Sequence, residues 1–129
     1  MNIIITGSRT WTDYATIRRA LLRLKARAVA IGEALRVTQG ECKDGADLLA
    51  KKACASLSIP CDDFPANWTK YGNAAGMIRN RAMIDAVKPA LVVGFFDSSG
   101  DKARIKRSGT LGCLRYADKK GCAIELHAV

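Results

Sequence analysis

With 129 residues, 49% of them apolar, the chain is long enough to bury one hydrophobic core, which excludes a disordered polymer. Its 21 Lys and Arg residues outnumber 12 Asp and Glu, and the resulting net charge of +9 favours anionic partners such as phosphates. No apolar run approaches the ~20 residues needed to cross a bilayer, and the amino terminus lacks a signal-peptide pattern. We therefore expect a single cytoplasmic domain over residues 1–129 without membrane contacts.

The cysteines indicate free thiols rather than disulfides or a metal centre. The sequence has five of them, an odd number, and no two form a Cys-x-x-Cys pair. A zinc site would need clustered Cys and His ligands, and the single histidine is His127. We therefore expect a reducing compartment and neither a metal nor another cofactor.

Five short runs rich in apolar and β-branched residues predict the strands of a sheet. In chain order they are residues 2–6, 35–39, 59–64, 90–96 and 122–126. The third strand is expected at an edge, because Pro60 has no N–H to donate to a neighbour. The first and fourth are uninterrupted apolar runs, which is typical of parallel strands that are covered on both faces.

Helical patterns separate these strands. The helices are expected to begin after Thr12 or Asp13, after Asp44, at Asn73 and at Gly109. Right-handed crossovers in such β-α repeats place the first strand at the centre, in the order 3-2-1-4-5. The sequence therefore predicts an α/β fold, a Rossmann-like three-layer sandwich around a five-stranded, mainly parallel sheet.

Ligands of such a sheet bind outside the carboxyl ends of its strands, where the strand order reverses between the first and fourth strands. Gly7, Ser8 and Arg9 arrive there from the first strand, and Gly40 arrives from the second. Gly7 would let the backbone approach a ligand, while Ser8 and Arg9 would offer hydroxyl and guanidinium donors. We expect these residues to bind an anion.

The segment after the fourth strand contributes a second group of anion-binding candidates. Ser108, Gly109 and Thr110 open a helix, and the N–H groups and dipole at a helix start favour an anion. A basic cluster precedes them and includes Lys106 and Arg107. We expect both groups to contact phosphate.

A third group lies between the third and fourth predicted strands. Trp68 and Tyr71 are aromatic side chains that either stack on a base or belong to the core. Arg79 and Asn80 recur at helical steps with Gly76, which gives one polar face. Neither Gly-x-Gly-x-x-Gly nor Gly-x-x-x-x-Gly-Lys-Ser/Thr occurs, which disfavours dinucleotide redox chemistry and P-loop hydrolysis.

The order of these residues resembles a known family. The resemblance is carried by Gly7-Ser8-Arg9, Asp13, Gly40, Gly45-Ala46-Asp47, Pro65-Ala66-x-Trp68, Tyr71-Gly72, Ala75-Gly76, Arg79-Asn80-x-x-Met83 and Gly109-Thr110. The chain is similar over nearly its whole length to the YspA/YpsA-related branch of the SLOG superfamily. This similarity implies a Rossmann-like fold and a nucleotide-related ligand. The superfamily includes the "Lonely guy" phosphoribohydrolases, which activate cytokinins, and the single-strand-DNA-binding DprA proteins.

The chain departs from the phosphoribohydrolases in their catalytic motif. Aligned on Gly109-Thr110, it has Lys106-Arg107 in place of paired glycines and Cys113 in place of the catalytic Glu. A thiol cannot replace a carboxylate that stabilises an oxocarbenium-like centre. Asp97 and Asp47 are the candidate carboxylates that would have to replace that Glu.

Three functions are compatible with the sequence. The favoured one is binding of a nucleotide or nucleotide-derived ligand by a sensor or sequestering protein. The first alternative is a phosphoribohydrolase-type N-glycosidase that acts on nucleoside 5′-monophosphates. The second is single-stranded nucleic-acid binding, which the net charge, Trp68 and Tyr71 favour. The expected partner is a small nucleotide-derived molecule, and we expect a homo-oligomer.

Overall fold

The structure, a computed structural model, describes residues 1–99 and 108–129. Its strands are β1 (Asn2–Gly7), β2 (Arg36–Gln39), β3 (Cys61–Asp63), β4 (Leu91–Phe96) and β5 (Ala123–Ala128). Its helices are α1 (Tyr14–Ala30), α2 (Gly45–Leu57), α3 (Trp68–Tyr71), α4 (Ala75–Val87) and α5 (Gly109–Lys119), and a 3-10 turn, Gly72–Ala74, joins α3 to α4.

The sheet has the predicted strand order. Its five strands pair as β3-β2-β1-β4-β5, and each of these pairings is parallel. The predicted α/β Rossmann-like fold is therefore confirmed, and the sheet is parallel throughout rather than only in the main. The carboxyl ends of β1, β2 and β4 meet at one edge of the molecule, where the strand order reverses.

Alternate residues of β1 divide the core into two halves. Ile3 and Ile5 pack with the apolar faces of α1 and α2, while Ile4 packs with those of α4 and α5. All three side chains are at most 1% exposed. Because successive strand residues point to opposite faces, an uninterrupted apolar run fills both halves, and helices cover both sides of the sheet.

The third strand lies at an edge, as predicted, and is shorter than its sequence pattern. Only residues Cys61–Asp63 pair with β2. Pro60 contributes its carbonyl alone, which accepts the N–H of Val37 at 2.9 Å. The last strand begins one residue later and ends two residues later than predicted, at Ala123–Ala128 instead of residues 122–126.

The helix starts agree with the sequence in part. Asp13 caps α1 by accepting the N–H of Thr16 at 3.1 Å, as expected. Asp44 occupies the N-cap position of α2, but its side chain makes no capping hydrogen bond. The segment around Trp68, for which no helix was expected before Asn73, is helical, and Asn67 caps α3 by accepting the N–H of Lys70 at 3.0 Å. The prediction missed this short helix.

The described part of the chain contains no helix that is long and apolar enough to cross a membrane. All five cysteines are free thiols. Within residues 1–99 and 108–129, no three His, Cys, Asp or Glu residues come together as a group that could hold a metal ion.

Candidate functional site

Arg79 on α4 lies over the end of β2. Its Nη1 donates to the carbonyl of Gly40 and, at 3.4 Å, to that of Phe64. Its Nε donates to Oδ1 of Asn80 at 2.7 Å. A Cβ at position 40 would overlap the guanidinium, so Gly40 provides the space in which Arg79 sits. The charge is thereby held in one place by three acceptors.

Asn80 connects this guanidinium to the start of α5. Its side chain is 8% exposed, and its Nδ2 donates to the carbonyl of Gly109 at 3.5 Å. The chain of contacts thus runs from Gly40 at the end of β2, through Arg79 and Asn80, to the first residue of α5. The structure brings together four residues that the sequence had placed in three separate groups.

A buried carboxyl group lies beside the same loop. Asp47 on α2 is 5% exposed, and its Oδ2 accepts the N–H of Cys42 at 3.3 Å. Burial raises the pKa of Asp47 above its ordinary value, although the hydrogen bonds from Cys42 and the charge of Arg79 oppose that rise. Of the two candidate carboxylates, Asp47 is thus the one whose pKa the charge of Arg79 affects.

The thiol of Cys42 lies close enough to the guanidinium groups of Arg79 and Arg9 for their charges to affect its pKa. Burial raises its pKa, and the carboxylate of Asp47 raises it further, while Arg79 and Arg9 act in the opposite direction. One carboxyl group, one thiol and the charges of two arginines therefore lie near one another beside the loop after β2. No local pattern distinguishes Cys42 from the other four cysteines, so sequence reasoning missed it.

Arg9 stacks on Trp68. Its guanidinium carbon lies 5.4 Å from the centroid of the indole ring, a cation–π contact between the loop after β1 and the helix α3. The indole is 48% exposed and rests against Gly76, where a Cβ would lie 3.6 Å from it. An aromatic face and a cation are thus available together at the carboxyl end of the sheet.

Neither Arg9 nor Arg79 is neutralised by a carboxylate. In the described part of the chain, no carboxylate oxygen lies within 4.0 Å of either group, whereas Arg23 and Arg36 bind Glu125 and Asp62 at 2.5 and 2.6 Å. Nη2 of Arg79 has no hydrogen-bond partner among the described residues. Because no buried side-chain nitrogen there is unsatisfied, Nη2 is exposed to solvent. Two positive charges are therefore available to an anion.

Ser8 and Asp97 join the loops that follow β1 and β4. The N–H of Ser8 donates to the carbonyl of Phe95 at 2.9 Å, and its Oγ accepts the N–H of Asp97 at 3.0 Å. The Oδ1 of Asp97 accepts the N–H and the hydroxyl of Ser99 at 3.0 and 2.6 Å. Both side chains thus support the local backbone, which a catalytic role for Asp97 would have to interrupt.

Gly7 is explained by close packing. A Cβ at this position would overlap the Cβ of Ala46 on α2 and lie 2.8 Å from the carbonyl oxygen of Phe95. The glycine therefore lets α2 approach the sheet. The sequence interpretation, that Gly7 lets the backbone approach a ligand, stays a prediction beside this packing role.

The start of α5 is formed as the sequence predicts. Ser108 is its N-cap, and Oγ of this residue accepts the N–H of Leu111 at 3.3 Å. Thr110 is buried, while Gly109 is exposed at the surface. The predicted basic residues Lys106 and Arg107 lie outside the described residues.

Cys113, which the sequence resemblance aligned with the phosphoribohydrolase Glu, faces the core. It is 2% exposed, in the cluster that also contains Ile4 and Met83. Burial raises the pKa of its thiol to about 11, against the opposing effect of a hydrogen bond with Thr6. The thiol is therefore neutral near pH 7 and is not placed to act on a surface ligand.

The structure also shows the surroundings of Tyr71, a predicted site residue, and of Gln39, which was not predicted. Tyr71 is 41% exposed and lies under the ammonium group of Lys70, 5.2 Å from the ring centroid; no described contact joins it to Arg9 or Arg79. Gln39, which sequence reasoning missed, is fully buried at the end of β2 and donates to Asp63. A polar residue at the end of a buried strand was the available signal for Gln39.

A cavity of about 420 Å³ lies between the loops that follow β1 and β4, and among the described residues neither Arg9 nor Arg79 lines it. Its walls include Thr10, Asp13 and Asp97, and Val129 closes it on the side of β5. It lies at the predicted reversal of strand order, which is the usual place for a ligand in such a sheet.

Comparison with known proteins gives one match. The model of the family described as the YspA, cpYpsA-related SLOG family (YAcAr) matches residues 1–71. The matched segment runs from β1 to α3 and includes Arg9, Gly40, Asp47 and Trp68, whereas Arg79 lies beyond it. No curated protein and no solved structure matches the chain.

Proposed function

Since the chain belongs to the YspA, cpYpsA-related SLOG family, we propose that it binds a nucleotide or a nucleotide-derived small molecule at the carboxyl ends of its strands. The family supports a nucleotide-related ligand, and the charges at this edge support an anionic one. The observation that carries the proposal is Arg79, a guanidinium that Gly40, Phe64 and Asn80 fix and that binds no carboxylate of residues 1–99 or 108–129.

The fixed position of Arg79 favours tight binding of a phosphate. Guanidinium groups form strong, often bidentate hydrogen bonds with phosphate oxygens. A flexible arginine loses rotamer freedom when it binds, but here the hydrogen bonds to Gly40 and Asn80 have already ordered the side chain. Asn80 connects it to the carbonyl of Gly109 at the start of α5, where the N–H groups of a helix start would be further donors. Ser108, Gly109 and Thr110 are therefore retained as proposed ligand contacts.

Trp68 and Arg9 would recognise the other end of the ligand. Stacking of a base on an aromatic ring tolerates every base, because each has a π face. The indole of Trp68 is half exposed, and Arg9 already stacks on it as a planar cation. We propose that base, indole and guanidinium pack together. Lys106 and Arg107 stay proposed phosphate contacts on the sequence alone.

Binding without turnover is the form of the function that we favour. Asp97 is engaged by the backbone and hydroxyl of Ser99, and Cys113 faces the core where the related enzymes have Glu. The protein would then act as a sensor or sequestering protein, in the cytoplasm and as a homo-oligomer.

One observation favours a second function, hydrolysis of the N-glycosidic bond of a nucleoside 5′-monophosphate. Asp47 is a buried carboxyl group with a raised pKa close to the charge of Arg79, and such groups are common at catalytic sites. Chromatography of overnight reactions with AMP, GMP, CMP and UMP tests it. We expect no free base, and release of base that Asp47→Asn abolishes would establish the enzyme instead.

Calorimetric titration of the whole chain tests the binding proposal. We expect a nucleoside 5′-monophosphate to bind at least about tenfold more tightly than its nucleoside, because the phosphate gains charged hydrogen bonds. Equal affinity for the two would contradict an anion site. Tight oligonucleotide binding that falls steeply with salt, and that mononucleotides do not compete, would replace the proposal by nucleic-acid binding.

A further inference from the structure

The two edges of the sheet differ in their capacity to accept another strand. β3 has three residues, follows Pro60 and carries Asp62 and Asp63, all features that discourage pairing. β5 has six residues, Ala123–Ala128, and within the described residues no strand lies beyond it. An unprotected edge of this length is a template for pairing with another chain.

The hydrogen bonds at the end of β5 show which of its backbone groups point away from β4. The N–H of Val129 donates to Phe96 at 3.1 Å, and its carbonyl accepts the N–H of Ser98 at 3.2 Å, so both groups of Val129 point toward β4. Backbone groups of successive strand residues point to alternate sides. Those of Ile124 and Leu126 therefore point to the open edge.

The same two residues expose apolar side chains. Ile124 and Leu126 are 43% and 49% exposed, on one face of the edge strand. On the opposite face, Glu125 and His127 lie side by side, with 2.8 Å between Oε2 and Nε2, and the same Oε2 binds Arg23 of α1 at 2.5 Å. β5 therefore combines an apolar stripe on one face with a carboxylate and an imidazole on the other.

We propose that a second copy of the chain pairs antiparallel with β5, with the two-fold axis at Leu126, so that the two sheets become one. In this register Leu126 exchanges both of its backbone hydrogen bonds with Leu126 of the partner subunit, as a residue with outward-pointing groups can. Ile124 lies opposite Ala128 of the partner subunit, and the leucines pack together across the axis.

Charge selects this register over the neighbouring one. With the axis at Leu126, each Glu125 lies opposite His127 of the partner subunit. With the axis at Glu125, the two carboxylates would lie directly opposite each other, a destabilising arrangement of like charges that the partly exposed Arg23 bound to each Glu125 offsets only in part. A register is well specified where one arrangement matches side chains on both faces, as here. This inference does not depend on the ligand site.

Sedimentation equilibrium of the whole chain tests the dimer. We expect twice the mass of the 13.9 kDa chain, and Leu126→Lys should raise the dissociation constant at least about tenfold, because two ammonium groups would meet at the axis. Ile31→Lys at the end of α1 is the matched control, since Ile31 is 62% exposed and precedes β2, which β1 and β4 separate from β5. It should leave the dimer intact. A wild-type chain that stays monomeric at millimolar concentration would overturn the proposal.

Amide hydrogen exchange in the unmodified chain locates the interface even if the lysine variant folds poorly. The amides of Ile124 and Leu126 should exchange at least about tenfold more slowly as the concentration rises and dimer forms. Those of Glu125 and His127 should be protected at every concentration, because they point toward β4. Dimerisation with fast exchange at Ile124 and Leu126 would place the interface elsewhere and contradict the proposal.

Discussion

Gly7 and Gly40 end neighbouring parallel strands, and the structure gives them opposite surroundings. The space beside Gly7 holds Ala46 of α2 and the carbonyl of Phe95, which are fixed parts of the fold. The space beside Gly40 holds the guanidinium of Arg79, the far end of a long side chain. One glycine permits close packing of helix and sheet, and the other makes room for a charge.

This difference separates the residues that build the carboxyl edge from those that can bind at it. Around Gly7, Ser8 and Asp97 satisfy each other and the neighbouring backbone. Around Gly40, Arg79 is held by backbone and amide acceptors, and none of the described carboxylates lies within ion-pair distance of it. A polar group at a strand end is therefore a stronger ligand candidate when its charge is fixed in place but not neutralised.

The largest expected effect is on stability, at Gly7. Gly7→Ala places a methyl group against a helix residue and a backbone carbonyl, neither of which can rotate away, and should lower the free energy of unfolding by about 2–3 kcal/mol. Urea denaturation measures it. Gly112→Ala on α5 is the control, because the added Cβ would have its nearest neighbour at 3.9 Å. That variant should be slightly more stable, and equal losses for the two would contradict the packing role of Gly7.

Gly40→Ala should affect ligand binding more than stability. The new methyl group meets only the movable end of Arg79, so we expect a loss of about 1 kcal/mol or less in the free energy of unfolding. The guanidinium must leave its acceptors, and affinity for a nucleoside monophosphate should fall about tenfold. Calorimetry and urea denaturation on the same sample measure both. A stability loss as large as that of Gly7→Ala would remove the contrast between the two glycines.

The smallest effect concerns the pH dependence of stability at Asp47. Burial raises the pKa of this carboxyl, so the folded state holds the proton more tightly than the unfolded chain does. Its contribution to the free energy of unfolding is therefore largest below the unfolded pKa of about 4 and falls as pH rises through the raised value. Asp47→Asn should remove this dependence.

Urea denaturation of both proteins between pH 3.5 and about 7, a window set by the unfolded carboxyl pKa, measures the difference. Asp13 and Asp62 have lowered pKa values and act in the opposite sense, but they are present in both proteins and cancel. The stability of the variant relative to the wild type should rise with pH. If the free energies of unfolding of the two proteins changed with pH in parallel, the pKa of Asp47 would not be raised in the folded state.

The strand order could be predicted from the sequence, because β-α repeats with right-handed crossovers leave few arrangements of the sheet. The helix α3 could not be predicted, because its four residues are too few to show an apolar periodicity and the helix depends on the cap at Asn67. Arg79 and Gly40 were both candidates, but their contact spans 39 positions of the sequence and no local pattern encodes it. The same holds for Gly7, whose neighbour is set by the packing of α2.

Replacement of Arg79 tests the central claim most directly. Arg79→Ala should weaken binding of a nucleoside 5′-monophosphate by about 1.5–3 kcal/mol, as expected when a charged hydrogen-bond donor is lost. Arg81→Ala is the matched control on the same helix, because Arg81 is exposed and stacks on Tyr116. Calorimetry at one salt concentration should give wild-type affinity for Arg81→Ala and a weakened complex for Arg79→Ala. Equal affinity for the two variants would contradict an anion site built on Gly40 and Arg79.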